Sequence, residues 1–335
     1  MRKLSNSVLM TVIALSAAAV LWIGATQAQT PPAQGPPQTQ GAQAGQSQTP
    51  PGQTPPGQTP AGRGGQGGRG AAAPVPGGRG GPAAVPRKHL LVIGMTRGYH
   101  HGSTSNGLAM FWNLGQESGV WETELKSDME WVTKKAPGSE AHSLDWFDAV
   151  AFVNTTGDWK LDDEQKQALL SFVHDDGKGL VMVHAALDAN YTWPDYADMI
   201  GGWFQAHPWG TFDAPVIVED PTFPAMRHFP QRLFIHDEMY SPKNWSRDKV
   251  NVLMRLDETQ LNYVNPQYGV AATRPDKDQA IAWSKMYGKG RVFYSSLGHT
   301  KEAWENPDVQ KMYLEAVKWV MRRTEGSTTP HPKVN

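Results

Sequence analysis

Three short runs of unbroken apolar residues constrain this chain more than any other feature: residues 90–93, 149–153 and 180–183. A strand with one wet face alternates apolar and polar side chains, whereas a strand covered on both faces has no position to give to a polar one. Segments of helical period lie between the runs. Leu108, Phe111, Trp112 and Leu114 recur at helical spacing over 105–118, and a second apolar stretch, 167–173, sits in a helix expected over 162–176 that stops at Gly177. Strands are expected at 88–94, 123–127, 147–154 and 179–184. Strand, helix and strand in this order imply right-handed crossovers and a doubly wound, mostly parallel α/β sheet.

The second half changes character. Shorter strands are expected at 216–219, 233–237, 251–256, 279–284 and 291–297, the last two joined as a hairpin by Tyr287-Gly288-Lys289-Gly290. These add antiparallel strands to the sheet. A closing helix is expected over 307–323, with Val309, Met312, Tyr313, Ala316, Val317 and Val320 on one face. Trp112, Trp283 and Trp319 are assigned to the core.

The first 86 residues cannot join that core. Residues 1–28 read as a signal peptide: Arg2 and Lys3, an apolar stretch from Val8 to Ile23, then small residues ending in Ala28. The apolar stretch is short for a spanning helix, which needs about 20 residues, so cleavage and a secreted or periplasmic product are expected, with no stable membrane insertion. Residues 29–86 are Pro, Gly, Gln, Thr and Ala, with Gln-Thr-Pro-Pro-Gly at 48–52 repeated at 53–57, and read as a disordered linker. The folded domain is expected over 87–325 and a disordered tail over 326–335.

Composition excludes several functions. The chain has no cysteine, so disulfides, thiolate metal sites and thiol nucleophiles are ruled out. The first 86 residues hold five of the 31 bases and none of the 32 acids, leaving the remainder acidic by about six charges. Such a domain is a poor partner for nucleic acid, which needs a basic surface. No GxGxxG follows a strand, so a dinucleotide cofactor has no support.

In doubly wound sheets ligands bind beyond the carboxyl ends of the strands. Polar residues gather there: Arg97 to His101, Asn154 to Asp158 and His184 to Asn190. Five segments stand out: Gly98-Tyr99-His100-His101, the block from Gly179 through His184 to Asp188, Gly201-Gly202-Trp203-Phe204-Gln205-Ala206-His207-Pro208-Trp209, His236-Asp237-Glu238-Met239-Tyr240, and the block from Gly290 to Thr300 containing Gly298-His299. Imidazoles at strand ends can act as acids, bases or metal ligands. His184 and His299 are the best placed by this criterion, and Asp188, four residues after His184, can orient an imidazole or bind a hydroxyl. Trp203 and Trp209 flank His207-Pro208 and suggest a rigid aromatic wall of the kind that stacks on sugar rings.

In order and spacing the five segments resemble the successive blocks of the ThuA, or trehalose-utilisation, family over about residues 88 to 323. The resemblance implies a flavodoxin-like, class I glutamine amidotransferase-like fold and a role in disaccharide catabolism through keto-sugars. Those amidotransferases place a cysteine on a sharp turn after a buried strand; His184 stands at the corresponding place, so thiol amidotransferase chemistry is not expected. The family pattern favours His100 over His101 as the residue facing the cleft. The expected catalytic set is His184, His100, His299 and Asp188, with His207, Trp203, Trp209, Glu238 and Tyr99 binding a small carbohydrate. A divalent metal such as zinc, on His100, His184 and His207, is a further expectation; no compact HxH or HExxH spacing supports it. The competing readings are an enzyme acting on a keto-sugar (isomerase, epimerase or lyase), a non-catalytic sugar-binding module, and a metal-dependent hydrolase.

Overall fold

The computed structural model describes residues 85–334. The expected signal peptide, and the linker up to residue 84, lie outside the described residues. Eleven strands and five α-helices follow: β1 (Lys88–Ile93), α1 (Thr104–Ser118), β2 (Trp121–Lys126), β3 (Ala149–Val153), α2 (Asp163–His174), β4 (Gly179–Val183), α3 (Pro194–Ile200), β5 (Trp203–Ala206), β6 (Thr211–Val218), β7 (Arg232–Glu238), β8 (Ser241–Lys243), β9 (Asn251–Leu256), β10 (Ala280–Tyr287), β11 (Gly290–Ser295), α4 (Lys301–Glu305) and α5 (Pro307–Val320).

Nine strands form one sheet in the order β2-β1-β3-β4-β11-β10-β9-β6-β7, and β5 pairs with β8 in a second. The pairs from β2 to β11 are parallel; those from β11 to β7 are antiparallel. The apolar runs explain the parallel half. Leu90, Val92, Ala151, Val153, Val181 and Val183 pack into the core under α1 and α5, while Leu91, Ile93, Val150, Phe152, Leu180 and Met182 pack into the core on the opposite face, with residues of α2 and α3. Every residue of β3 and β4 is buried, as a strand covered on both sides requires. The β10–β11 hairpin forms across the expected turn.

Four antiparallel steps reverse direction four times, so β7 runs the same way as β4 and β11 and its carboxyl end lies at the same edge. It is nevertheless five places from β4 in the sheet, roughly 24 Å if the sheet were flat. Glu238, the last residue of β7, lies 3.7 Å from His184, which follows β4. The antiparallel half therefore curls back over the carboxyl ends of the parallel half. A register shift between β9 and β10 at Ala280–Trp283 is a bulge of the kind that sharpens such a twist.

Two expectations need correction. Trp112 is 43% exposed; the buried face of α1 is made by Gly107, Met110, Phe111, Leu114 and Gly115, which leaves Trp112 turned outward. The core is reached instead by Trp283 and Trp319, both fully buried. The short elements α3, β5, β8 and α4 have no periodic signal long enough to mark them. Residues 326–334 are also not a free tail. The Ser327 carbonyl accepts from Asn251 Nδ2 at 2.9 Å and Ser284 Oγ at 3.0 Å. His331 bonds the Val252 carbonyl at 2.9 Å, Lys333 pairs with Glu258, and Arg255 donates to the Val334 carbonyl at 2.8 Å. Arg255 also reaches the buried Glu219 at 2.7 Å, which Arg247 holds from the other side at 2.6 Å. The tail thus caps a buried charge network whose polar surroundings were invisible in its Ser-, Thr- and Pro-rich composition.

Net hydrogen bonds contribute about 1 kcal/mol each, and 1 kcal/mol moves the melting point of a domain this size by about 2–4 °C. Ending the chain at Gly326 is expected to lower the calorimetric melting temperature by roughly 5–10 °C; an unchanged transition would show the tail contacts to be inert.

Candidate active site

Four segments far apart in sequence deliver side chains to one point. His101 precedes α1, His184 follows β4, Glu238 ends β7 and His299 follows β11. One donor atom from each lies within 4.8 Å of the others.

His184 forms the floor. It leaves β4 with φ of 45° and opens a short 3₁₀ turn, His184–Leu187. A left-handed backbone at a residue with a Cβ is strained and needs surrounding contacts to hold it. Here the ring supplies one: Nδ1 bonds the Ser296 carbonyl at 2.7 Å. Nε2 points at His299 Nδ1, 3.2 Å away. His184 is fully buried and does not line the cavity above.

The loop carrying His299 is positioned by Asp237. This buried carboxylate accepts from the backbone N–H groups of Gly298 at 2.6 Å, His299 at 3.3 Å and Thr300 at 2.9 Å. Gly298 adopts φ of 133°, and a Cβ there would meet the Trp304 ring at 2.6 Å. Its carbonyl accepts from Asn154 Nδ2 and Trp304 Nε1. Asp237 and Glu238, adjacent on β7, point to opposite sides as strand residues do: one holds the loop and the other enters the site. Glu238 Oε2 lies 3.1 Å from His299 Nδ1, and Oε1 lies 3.4 Å from His207 Nδ1.

His101, not His100, joins the group. His100 is exposed, while His101 is 2% exposed and stands edge-on to His184 and His299, with ring centroids 4.9 and 5.0 Å away. Neither of its ring nitrogens has a hydrogen-bond partner. The turn is set by Thr104, whose Oγ1 donates to the His101 carbonyl at 2.9 Å.

Above the cluster opens a cavity of about 400 Å³, lined by His101, Glu238 and His299 together with Tyr99, Asp188, Phe204, His207, Tyr240, Gln267 and Tyr268 among others. His207 stacks on Phe204 at 5.6 Å and meets the edge of Tyr268 at 4.5 Å. Asp188 takes a hydrogen bond from Tyr191 and faces the cavity, away from the His184 ring. The aromatic wall exists but is not made of tryptophan. Trp209 is buried, packs against Phe212 and Tyr263, and donates to the Asn262 carbonyl; Trp203 is buried with the core. Neither lines the cavity. Tyr99, Phe204, Tyr240 and Tyr268 line it instead, and the last of these sits in a polar loop with no periodic signal.

The electrostatics differ along the cluster. Burial disfavours the cation of His101, reinforced by His299, and its pKa falls to about 4. Burial, then His101 and His299, hold His184 well below the usual range. Burial alone would lower His299 too, but the Glu238 carboxylate raises it above its ordinary value. Burial pushes Asp237 up to about 6 against the pull of its N–H donors, and pushes Asp188 up against the Tyr191 bond.

Histidines and a carboxylate from codirectional strand ends thus face an aromatic, polar cavity, in the place where α/β sheets of this kind bind ligands. The sequence profile of the ThuA family, described as trehalose utilisation, matches residues 89–320. The chain belongs to the ThuA family. A ThuA-like protein from Bacteroides uniformis superposes with a TM-score of 0.57 at 20% identity, covering 73% of this chain and 95% of that one. One from Parabacteroides merdae gives 0.54 at 17% identity, covering 74% and 93%. These likenesses show the shared fold. None of the curated protein sequences compared with the chain matches it.

The fold holds His101 at about 4 against 6.5 in the unfolded chain. The stability from keeping it neutral is therefore complete above pH 6.5 and is lost as pH falls through 4, up to about 3 kcal/mol. In chelator-containing buffer the melting temperature is expected to drop between pH 7 and 4.5, and to drop less in His101→Leu. Parallel curves for the two proteins would show that His101 does not titrate in this interval.

Proposed function

We propose that the protein is an exported enzyme of carbohydrate catabolism that performs acid–base chemistry on a keto-sugar or disaccharide derivative. The observation that carries this reading is the juxtaposition of the histidine–glutamate cluster with aromatic and hydroxyl-binding groups in one cavity. Sugar rings offer apolar C–H faces to aromatic side chains and hydroxyls to carboxylates and amides. Tyr99, Phe204 and Tyr268 supply the first kind of partner; Asp188 and Gln267 supply the second. The export step is supported by Arg2, Lys3 and the apolar stretch that follows them. Among the described residues no helix is long and apolar enough to cross a membrane.

A carbonyl acidifies the C–H beside it, so the required help is removal of that proton and stabilisation of the oxygen on which negative charge grows. His207 is the base: it lines the cavity, and Glu238 Oε1 at 3.4 Å orients its ring and stabilises the imidazolium once the proton arrives. His299, whose cation Glu238 favours, lines the cavity and is the donor that receives the carbonyl oxygen. Returning the proton to the other face or to the neighbouring carbon gives epimerisation or isomerisation; expelling a group from the next carbon gives elimination.

Proton NMR of the purified protein with a 3-keto disaccharide in D₂O tests this. Deuterium is expected to enter beside the carbonyl, and His207→Ala to slow it by about 10²–10⁴-fold, the usual range for a lost general base, with an unchanged circular dichroism spectrum. Binding of the sugar without exchange or turnover would instead identify a sugar-binding module.

A further inference from the structure

The four groups at the floor of the cavity cannot satisfy one another with protons. The Ser296 carbonyl only accepts, so His184 Nδ1 carries the ring's proton and Nε2 presents a lone pair inward. That lone pair faces His299 Nδ1 at 3.2 Å and Glu238 Oε2 at 3.7 Å, and His299 Nδ1 faces the same carboxylate oxygen at 3.1 Å. Neutral or protonated, His299 has at most one proton on Nδ1 to divide between these two acceptors. His101 adds a buried ring whose nitrogens have no partner at all. Leaving such groups unpaired in the interior is costly. Acceptors in surplus, aimed at a common point, call for a positive centre between them.

The distances suit a metal ion. Ligands about 2.1 Å from a tetrahedral ion stand roughly 3.4 Å apart, and the three contacts of 3.1, 3.2 and 3.7 Å lie around that value. The widest separation in the group is 4.8 Å or less, and no hydrogen bond ties the His101 ring nitrogens to another partner. The surroundings also match what metal ligands need. A ligating histidine usually donates its second ring N–H to a carbonyl or carboxylate, as His184 does to Ser296. Three imidazoles and one carboxylate select a borderline first-row ion over calcium or magnesium, which prefer all-oxygen shells.

We infer that His101, His184, Glu238 and His299 form a binding site for a divalent ion of the zinc class, open toward the cavity. His184 closes the site from below, while the other three line the cavity wall. This replaces the set expected from sequence: His100 is on the surface, and His207 stands in the outer shell against the free oxygen of Glu238. The site rests on its donors and not on the identity of the sugar. If both readings hold, the ion is the positive centre that receives the carbonyl oxygen.

The test uses protein purified without a histidine tag, stripped with chelator, and titrated with Zn²⁺ against a chromophoric chelator and with Co²⁺ by visible absorption. One Zn²⁺ per chain is expected, together with the intense cobalt bands of a four- or five-coordinate site. His299→Ala and Glu238→Gln are expected to weaken zinc at least 100-fold, while His100→Ala leaves it unchanged, each variant being checked by circular dichroism. Because Glu238→Gln preserves shape, it remains informative if His299→Ala fails to fold. Folded wild-type protein that takes up neither ion in stoichiometric amount would overturn the site, as would equal affinity in wild type and Glu238→Gln. Zinc uptake without sugar chemistry would leave the site standing and remove the keto-sugar reading. Sugar chemistry in stripped protein that takes up no zinc would do the reverse.

Discussion

One buried carboxylate ties the molecule's two halves together at its chemistry. Asp237 belongs to the outermost antiparallel strand, yet its oxygens are spent on three backbone N–H groups of the loop that leaves the parallel half after β11. Those bonds tie the loop to β7, while Ser103 Oγ, Asn154 Nδ2 and Trp304 Nε1 hold its carbonyls from the other side. Burial works against the charge on Asp237, so the bond set is strained between desolvation and hydrogen bonding. Its neighbour Glu238 inherits the position that results. The placement of the site's only carboxylate among the cluster thus depends on a residue that does not line the cavity itself.

The cluster runs against the usual logic of an interior. Apolar packing stabilises the sheet from both faces, whereas the point where β1, β4, β7 and β11 end gathers rings that burial forces to stay neutral and a backbone held in a left-handed turn at His184. Such concentrations of cost are tolerated where they serve binding or catalysis. The cavity above is lined by loops and by the small β5–β8 sheet.

Much of the fold was legible because its parallel half is written in unbroken apolar runs, and α5 in one clean amphipathic face. The antiparallel half was read as strands but not as a curl, since alternation reveals which face is buried and not how far a sheet bends. Of the site, His184, His299, Asp188, His207, Glu238 and Tyr99 were marked by their motifs and do meet at or beneath the cavity. The choice between His100 and His101 was decided by the family pattern, whereas in three dimensions it turns on the phase with which the loop enters α1, a matter of single dihedral angles. Trp203 and Trp209 misled because large aromatic residues near polar motifs are as useful to a core as to a cavity. Gln267 and Tyr268 come from an irregular loop, and only tertiary structure brings them near.

The four donors are divided evenly along the chain: His101 and His184 come from the stretch that ends just after β4, Glu238 and His299 from the stretch that begins with β7. Neither portion alone can gather more than two. A nascent or proteolysed chain that has built only one portion lacks the four-donor cluster, however well its strands have formed. The site is in this sense a completeness signal, present only after the final strand has been inserted between two that were made before it.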